Sequence, residues 1–231
     1  MLESSGPAHM DWFTPADIYC ERMNAGFWAE PVNAISNVAF LLAAIFLLAN
    51  RQQPARLLGT LIILIGIGSF LFHTFANRLT GFLDVFFIGV YLVTYAWLWP
   101  KWVRGSGRLT QSISVIMLLL SIALAMLSVA RLEHIWPDLP PGSYLGAWFY
   151  LIGLATQCAT DRQRAGFWLW TTAGLFLVSM TARQLDMPLC EDLGGTHWIW
   201  HAMNAVVLFT SARALVVGAT QTGAPKTGVK G

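Results

Sequence analysis

Gly194–Val217 reads GGTHWIWHAMNAVVLFTSARALVV, and this stretch sets the reading of the whole chain. Beyond its two glycines it is long and apolar, with a single charged residue, Arg213, close to its end. About 20 such residues cross a bilayer as one helix. His197 and His201 open the run at i and i+4, so on a helix both imidazoles leave the same face one turn apart. Two ligands of one metal ion have this spacing. Two interfacial side chains have it equally often, so the pair acquires meaning only if a third ligand lies at the same depth.

The rest of the chain shows that this span is one of several. Of the 231 residues, 56% are hydrophobic and only 11% charged, against a usual charged fraction of about 25%. Seven segments have the length and apolar character of a span: Pro31–Asn50, Leu57–Phe75, Phe82–Trp99, Thr110–Ala130, Ser143–Ala159, Phe167–Ala182 and Thr196–Val217. The expected fold is an all-α seven-helix transmembrane bundle occupying residues 31–217. Residues 1–30 carry Glu3, Asp11, Asp17, Glu21 and Glu30 with no basic n-region or cleavage site, so they read as an acidic extracytoplasmic segment rather than a signal peptide. The small, polar, Gly-rich residues 218–231 read as a disordered tail.

Loop charge orients the bundle. Arg51, Arg56, Lys101, Arg104, Arg108, Arg162, Arg164, Arg213, Lys226 and Lys230 fall on one side, and Arg22, Arg78, Arg131 and Arg183 on the other. Ten basic residues against four put the amino terminus outside and the carboxyl terminus in the cytoplasm. Seven spans so oriented invite comparison with retinal proteins, but Lys101, Lys226 and Lys230 are the only lysines and none lies in a span, so no Schiff base can form. The partners expected are the bilayer and a lipid drawn from it, not nucleic acid.

With this orientation, polar residues from three spans share one outer layer. The second span ends in Gly66–Arg78, GIGSFLFHTFANR, where Ser69 and His73 are one turn apart. The third begins Gly81–Leu92, GFLDVFFIGVYL, and places Asp84 among Phe82, Leu83, Val85, Phe86 and Phe87. A carboxylate in such surroundings is costly to keep ionised without a cation or donor beside it. A hydrogen-bonded packing histidine is the ordinary reading of His73 alone. Together with His197 and His201 it makes three neutral imidazoles around one open position, the arrangement of catalytic Zn²⁺. Such a metal lowers the pKa of bound water from near 16 towards ~7. Asp84 would serve as general base, and Ser69 as a donor to a developing oxyanion. His9 and His134 have no partner at ligand spacing and read as surface histidines.

Three further features lie outside this constellation. Asp17, Glu21, Asn24 and Glu30 crowd oxygen donors into fourteen residues; a Ca²⁺ site and a solvated acidic loop are both open readings. Asn33, Ser36 and Asn37 share a face of the first span and read as interhelical hydrogen-bonding residues. Cys20 and Cys190 both fall on the outer, oxidising side, and geometry decides whether they pair.

The combination of Cys20-Glu21 with Ala29-Glu30 and Asn33, of Gly68-Ser69 and His73 with Asp84 eleven residues later, and of His197-x-x-x-His201 resembles the alkaline ceramidases. These are seven-span zinc amidases in a superfamily that also holds adiponectin-type receptors. The resemblance implies cleavage of a ceramide or related N-acyl lipid to a fatty acid and a long-chain amine. It implies Zn²⁺ on His73, His197 and His201 with Asp84 and Ser69 in the roles above, Ca²⁺ on Asp17, Glu21, Asn24 and Glu30, and a Cys20–Cys190 disulfide. An adiponectin-receptor-like sensor with a non-catalytic zinc site is the competing expectation, and a bis-histidine haem protein a third. The short chain without eukaryotic sorting signals points to a bacterial inner membrane, with the site on the periplasmic side.

Overall fold

The computed structural model describes residues 11–161 and 163–221. Among them the regular structure is helical: α1 (Pro31–Ser36), α2 (Val38–Leu48), α3 (Gln53–Phe75), α4 (Arg78–Arg104), α5 (Arg108–Leu132), α6 (Gly142–Thr160), α7 (Ala165–Gln184), α8 (Cys190–Leu193) and α9 (His197–Gln221). Six spans meet the length and apolarity needed to cross a membrane, namely α1 with α2, α3, α4, α5, α7 and α9. The protein is therefore a multi-pass helical membrane protein. Helix α6 is not among the six, although it is tied into the bundle on both sides: Ser121 Oγ of α5 donates to the Gly146 carbonyl, and Trp148 Nε1 donates to the Ala173 carbonyl of α7.

The helices from α3 to α7 reach beyond the apolar runs read in the sequence, α4 by four residues at its start and five at its end, and the first and last spans differ in other ways. The first span is broken at Asn37, whose side-chain amide donates to the Asn33 and Ala34 carbonyls; a short amide side chain competes with the helix ladder for these acceptors. The last helix runs on to Gln221 instead of ending at Val217, because Val216, Gly218 and Ala219 are still buried against the bundle. The expectations for His9, Arg162, Lys226, Lys230 and the rest of the tail lie outside the described residues.

Helix α9 is the axis of the fold. It is the most deeply buried of the six spans and packs on α1, α2, α3, α4 and α7. Its C-terminal half sits in the main core with Leu208, Ala212 and Leu215, against Tyr91, Tyr95 and Trp99 of α4 and Leu58, Ile62 and Ile65 of α3. Polar side chains fix its rotation: Tyr91 Oη donates to the Leu208 carbonyl at 2.9 Å, Tyr95 Oη to the Ser211 carbonyl at 3.1 Å, and Thr172 Oγ1 to Thr210 Oγ1 at 2.9 Å. In an apolar medium unpaired polar groups are costly, so such bonds resist sliding or turning of the helix.

The segment before α1 lies across the α3–α4 turn. Ala16 N–H donates to the Ala76 carbonyl, Arg78 N–H to the Thr14 carbonyl, and Leu79 N–H to the Trp12 carbonyl. These bonds help hold Ala76 in the left-handed conformation, φ 41°, that closes α3 and that an alanine adopts only at a cost. Asn77 then caps α4 in a reciprocal capping box with Thr80. The turn is thus defined just after His73 and just before Asp84.

Candidate metal centre

Local rules account for the position of each histidine. Near the end of α3, a Cβ on Gly68 would lie 2.8 Å from the Leu83 carbonyl oxygen; only glycine allows this approach, which brings Ser69 and His73 against the start of α4. At the start of α9, the carboxylate of Asp186 does the positioning. One of its oxygens accepts from the Thr196 and His197 amides, both at 2.8 Å, and the other from the Cys20 amide at 3.0 Å. A carboxylate on the free amides of a helix start is favoured by hydrogen bonding and by the helix dipole. Gly195 packs over the same carboxylate at φ +93°. A disulfide joins Cys20 to Cys190, so the segment before α1 and the connection before α9 are held together at this point.

These elements bring His73, His197 and His201 together, all buried, with one nitrogen from each ring within 4.8 Å of the others. Hydrogen bonding at the far sides of two rings settles their tautomers. His73 Nδ1 faces Glu30 Oε2 at 2.5 Å and must donate to it. His201 Nδ1 lies 3.1 Å from the Asn33 carbonyl, which can only accept, and 2.7 Å from Ser36 Oγ. Both rings therefore turn Nε2 inwards, and these two atoms face each other at 3.1 Å. Two nitrogens at that distance share either a proton or a metal cation. Tetrahedral zinc with Zn–N bonds of about 2.05 Å places neighbouring nitrogens about 3.3 Å apart. His197 adds a buried Nδ1 with no hydrogen-bond partner. The donor set, its spacing and the orphaned nitrogen all fit a divalent metal ion.

Asp84 is half-buried on α4, in hydrogen-bonding reach of Ser69 and in electrostatic range of His73. The Ser69 hydroxyl is also 3.3 Å from His201 Nε2, so it stands between the carboxylate and the imidazole cluster. Two residues that enclose this group have no site role in the sequence reading. Tyr19 stacks on His197, ring centroids 3.7 Å apart, and burial pushes its phenol well above the ordinary range. Arg183 lies over Tyr144 at 5.6 Å, hydrogen-bonds to Tyr19 and feels the charge of Asp84. An arginine at the end of an apolar run is the signal that could have marked it, by the same rule that marks Asp84. Asp186, in the loop that follows, carries no such mark.

Asn33, Ser36 and Glu30 take places in this outer shell. Burial pushes the Glu30 carboxyl up, but hydrogen bonds from His73, Arg22 and Asn33 outweigh it and hold the group below its usual range. Of the other oxygen donors in that segment, Glu21 accepts from the Val32 and Asn33 amides at 2.6 and 2.8 Å, Asn24 Oδ1 accepts from the Gly26 amide, and Asp17 is exposed. Among the described residues the carboxylates of Asp17, Glu21 and Glu30 do not come together as a metal-binding group. His134 is exposed, away from the cluster.

Below the histidines, between α4, α6, α7 and α9, lies an apolar cavity whose walls include Leu92, Tyr144, Phe176, Trp200, Asn204 and Val207. Trp200 and Asn204 belong to the α9 turns that carry His197 and His201, so cavity and cluster adjoin. No known family model matches the chain, and no curated protein does; what its site can do rests on the residues themselves.

Proposed function

We propose that the protein is a seven-span membrane hydrolase that cleaves the amide of a ceramide or related N-acyl lipid, with Zn²⁺ held by His73, His197 and His201. The observation that carries this reading is the carboxylate of Asp84 near a three-imidazole cluster, with an apolar cavity lined by neighbouring residues of the same helix α9. A receptor with a structural zinc has no need of a base beside the metal.

Bound zinc would supply Lewis acidity at the amide carbonyl and acidify a water molecule. The chain's own residues do the rest. Asp84 accepts a proton from the attacking water and returns it to the departing amine nitrogen as the C–N bond breaks, so fatty acid and free amine leave with Asp84 unchanged. Ser69 can donate a hydrogen bond to the oxygen on which negative charge builds. Tyr19 covers the face of the His197 ring. The cavity between α4, α6, α7 and α9 would take an acyl chain entering from the bilayer.

The seventh span is α6. Its 19 residues extend about 28 Å at 1.5 Å per residue, close to the ~30 Å of bilayer hydrocarbon. With seven crossings, the loop charges put the amino terminus and the metal centre on the outer, periplasmic face of a bacterial inner membrane. The test is release of fatty acid from N-acyl sphingosine by purified protein in detergent. Activity is expected in wild type, abolished by metal removal and restored by zinc. Wild-type protein that holds zinc yet releases no fatty acid from any lipid amide would contradict the proposal.

A further inference from the structure

We propose that the guanidinium of Arg22 is the built-in cation of the segment before α1, standing in place of the calcium ion that its oxygen-rich sequence suggests, and that it positions His73 through Glu30. Arg22 is buried. Its Nε donates to Glu30 Oε1 at 2.5 Å, its Nη1 to the Asn24 carbonyl at 3.2 Å and its Nη2 to the His73 carbonyl at 3.1 Å. Oxygens from three separate places in the chain thus converge on one positive group. A guanidinium suits this task because it stays charged and presents its donors in a fixed planar fork.

A calcium ion does not fit beside it. Calcium gathers about six to eight oxygens at 2.3–2.6 Å, and Glu30 Oε1 already has a guanidinium nitrogen at 2.5 Å. An ion on that oxygen would place two positive centres side by side where little water screens them. Glu21 is committed to the first amides of α1 and Asp17 is exposed.

The second carboxylate oxygen of Glu30 receives the His73 Nδ1 proton. Arg22 therefore holds His73 twice, by its backbone carbonyl directly and by its ring through Glu30, and this sets the direction of the inward Nε2. Arg22 is a positioning residue. This second half rests on the metal-centre reading; the exclusion of calcium does not.

The test uses the full chain in detergent and calcium-free buffer, loaded with Co²⁺, whose visible spectrum reports ligand geometry. Adding Ca²⁺ to ~1 mM, enough to fill a weak extracellular-type site, is expected to leave the melting temperature and the spectrum unchanged. Arg22→Gln is expected to weaken cobalt binding at least ~10-fold and to move the visible bands. Arg22→Lys, which keeps charge but loses the fork, should fall between it and wild type. A melting temperature raised by several degrees, or altered bands, on adding Ca²⁺ to wild type would overturn the exclusion of calcium. Wild-type cobalt affinity and bands in Arg22→Gln would overturn the positioning role, and if that variant does not fold, wild-type behaviour in Arg22→Lys does the same. Wild type that takes up no cobalt contradicts the metal centre instead, while melting against Ca²⁺ still decides what Arg22 replaces.

Discussion

Asp84 is the residue on which the proposed chemistry turns. It does not belong to the imidazole cluster, so Asp84→Ala should keep a full equivalent of metal while losing at least ~100-fold in the rate of fatty acid release; a parallel loss of metal would make it a structural residue. Glu30→Gln keeps the shape of the side chain but weakens its hold on the His73 ring. It should lower metal affinity about 10- to 100-fold, measured by competition with a chelator. At this scale the sequence is informative wherever an ionisable group interrupts an apolar run, as at His73, Asp84, His197 and His201. It was silent on Tyr19, because a tyrosine near a membrane surface is ordinary, and what distinguishes this one is the ring of His197 against it. Arg183 is legible as a charge but counts with the loops, and only the fold brings it over Tyr144 and to Tyr19.

Single elements depend on a few polar groups at their ends. Asp186 is the clearest, since its two oxygens hold the amides of Thr196, His197 and Cys20. Asp186→Ala would leave three buried donors without an acceptor, and each costs about 1–3 kcal/mol when unpaired. A fall in melting temperature together with weaker metal binding is expected, because the same amides start the helix that carries two of the histidines. Stability equal to wild type would show that another group caps α9. The span lengths were readable because apolar runs have to match the bilayer. The break at Asn37 was not, because it depends on where an amide side chain finds its acceptors. The continuation of α9 past Val217 rests on burial of Gly218 and Ala219 in the assembled bundle, which hydropathy of the segment alone does not register.

For the molecule as a whole, the alternation of basic loops carries the orientation, and α6 carries the parity. In a Cys158→Ala background, single cysteines at the exposed positions Arg108, His134 and Thr160 can be probed in intact cells with a membrane-impermeant maleimide. His134→Cys should label at once, whereas Arg108→Cys and Thr160→Cys should label only after the membrane is opened. Labelling of Thr160→Cys from outside would remove α6 from the spans. The Cys20–Cys190 link, 170 residues apart in sequence, joins the segment before α1 to the connection before α9 beside the cluster. The metal content of purified wild type against His73→Ala and His197→Ala bears most directly on the convergence of α3 and α9 on a single ion. About one zinc per chain in wild type and almost none in either variant is the predicted result; a full equivalent retained in both would mean that these histidines do not hold the metal.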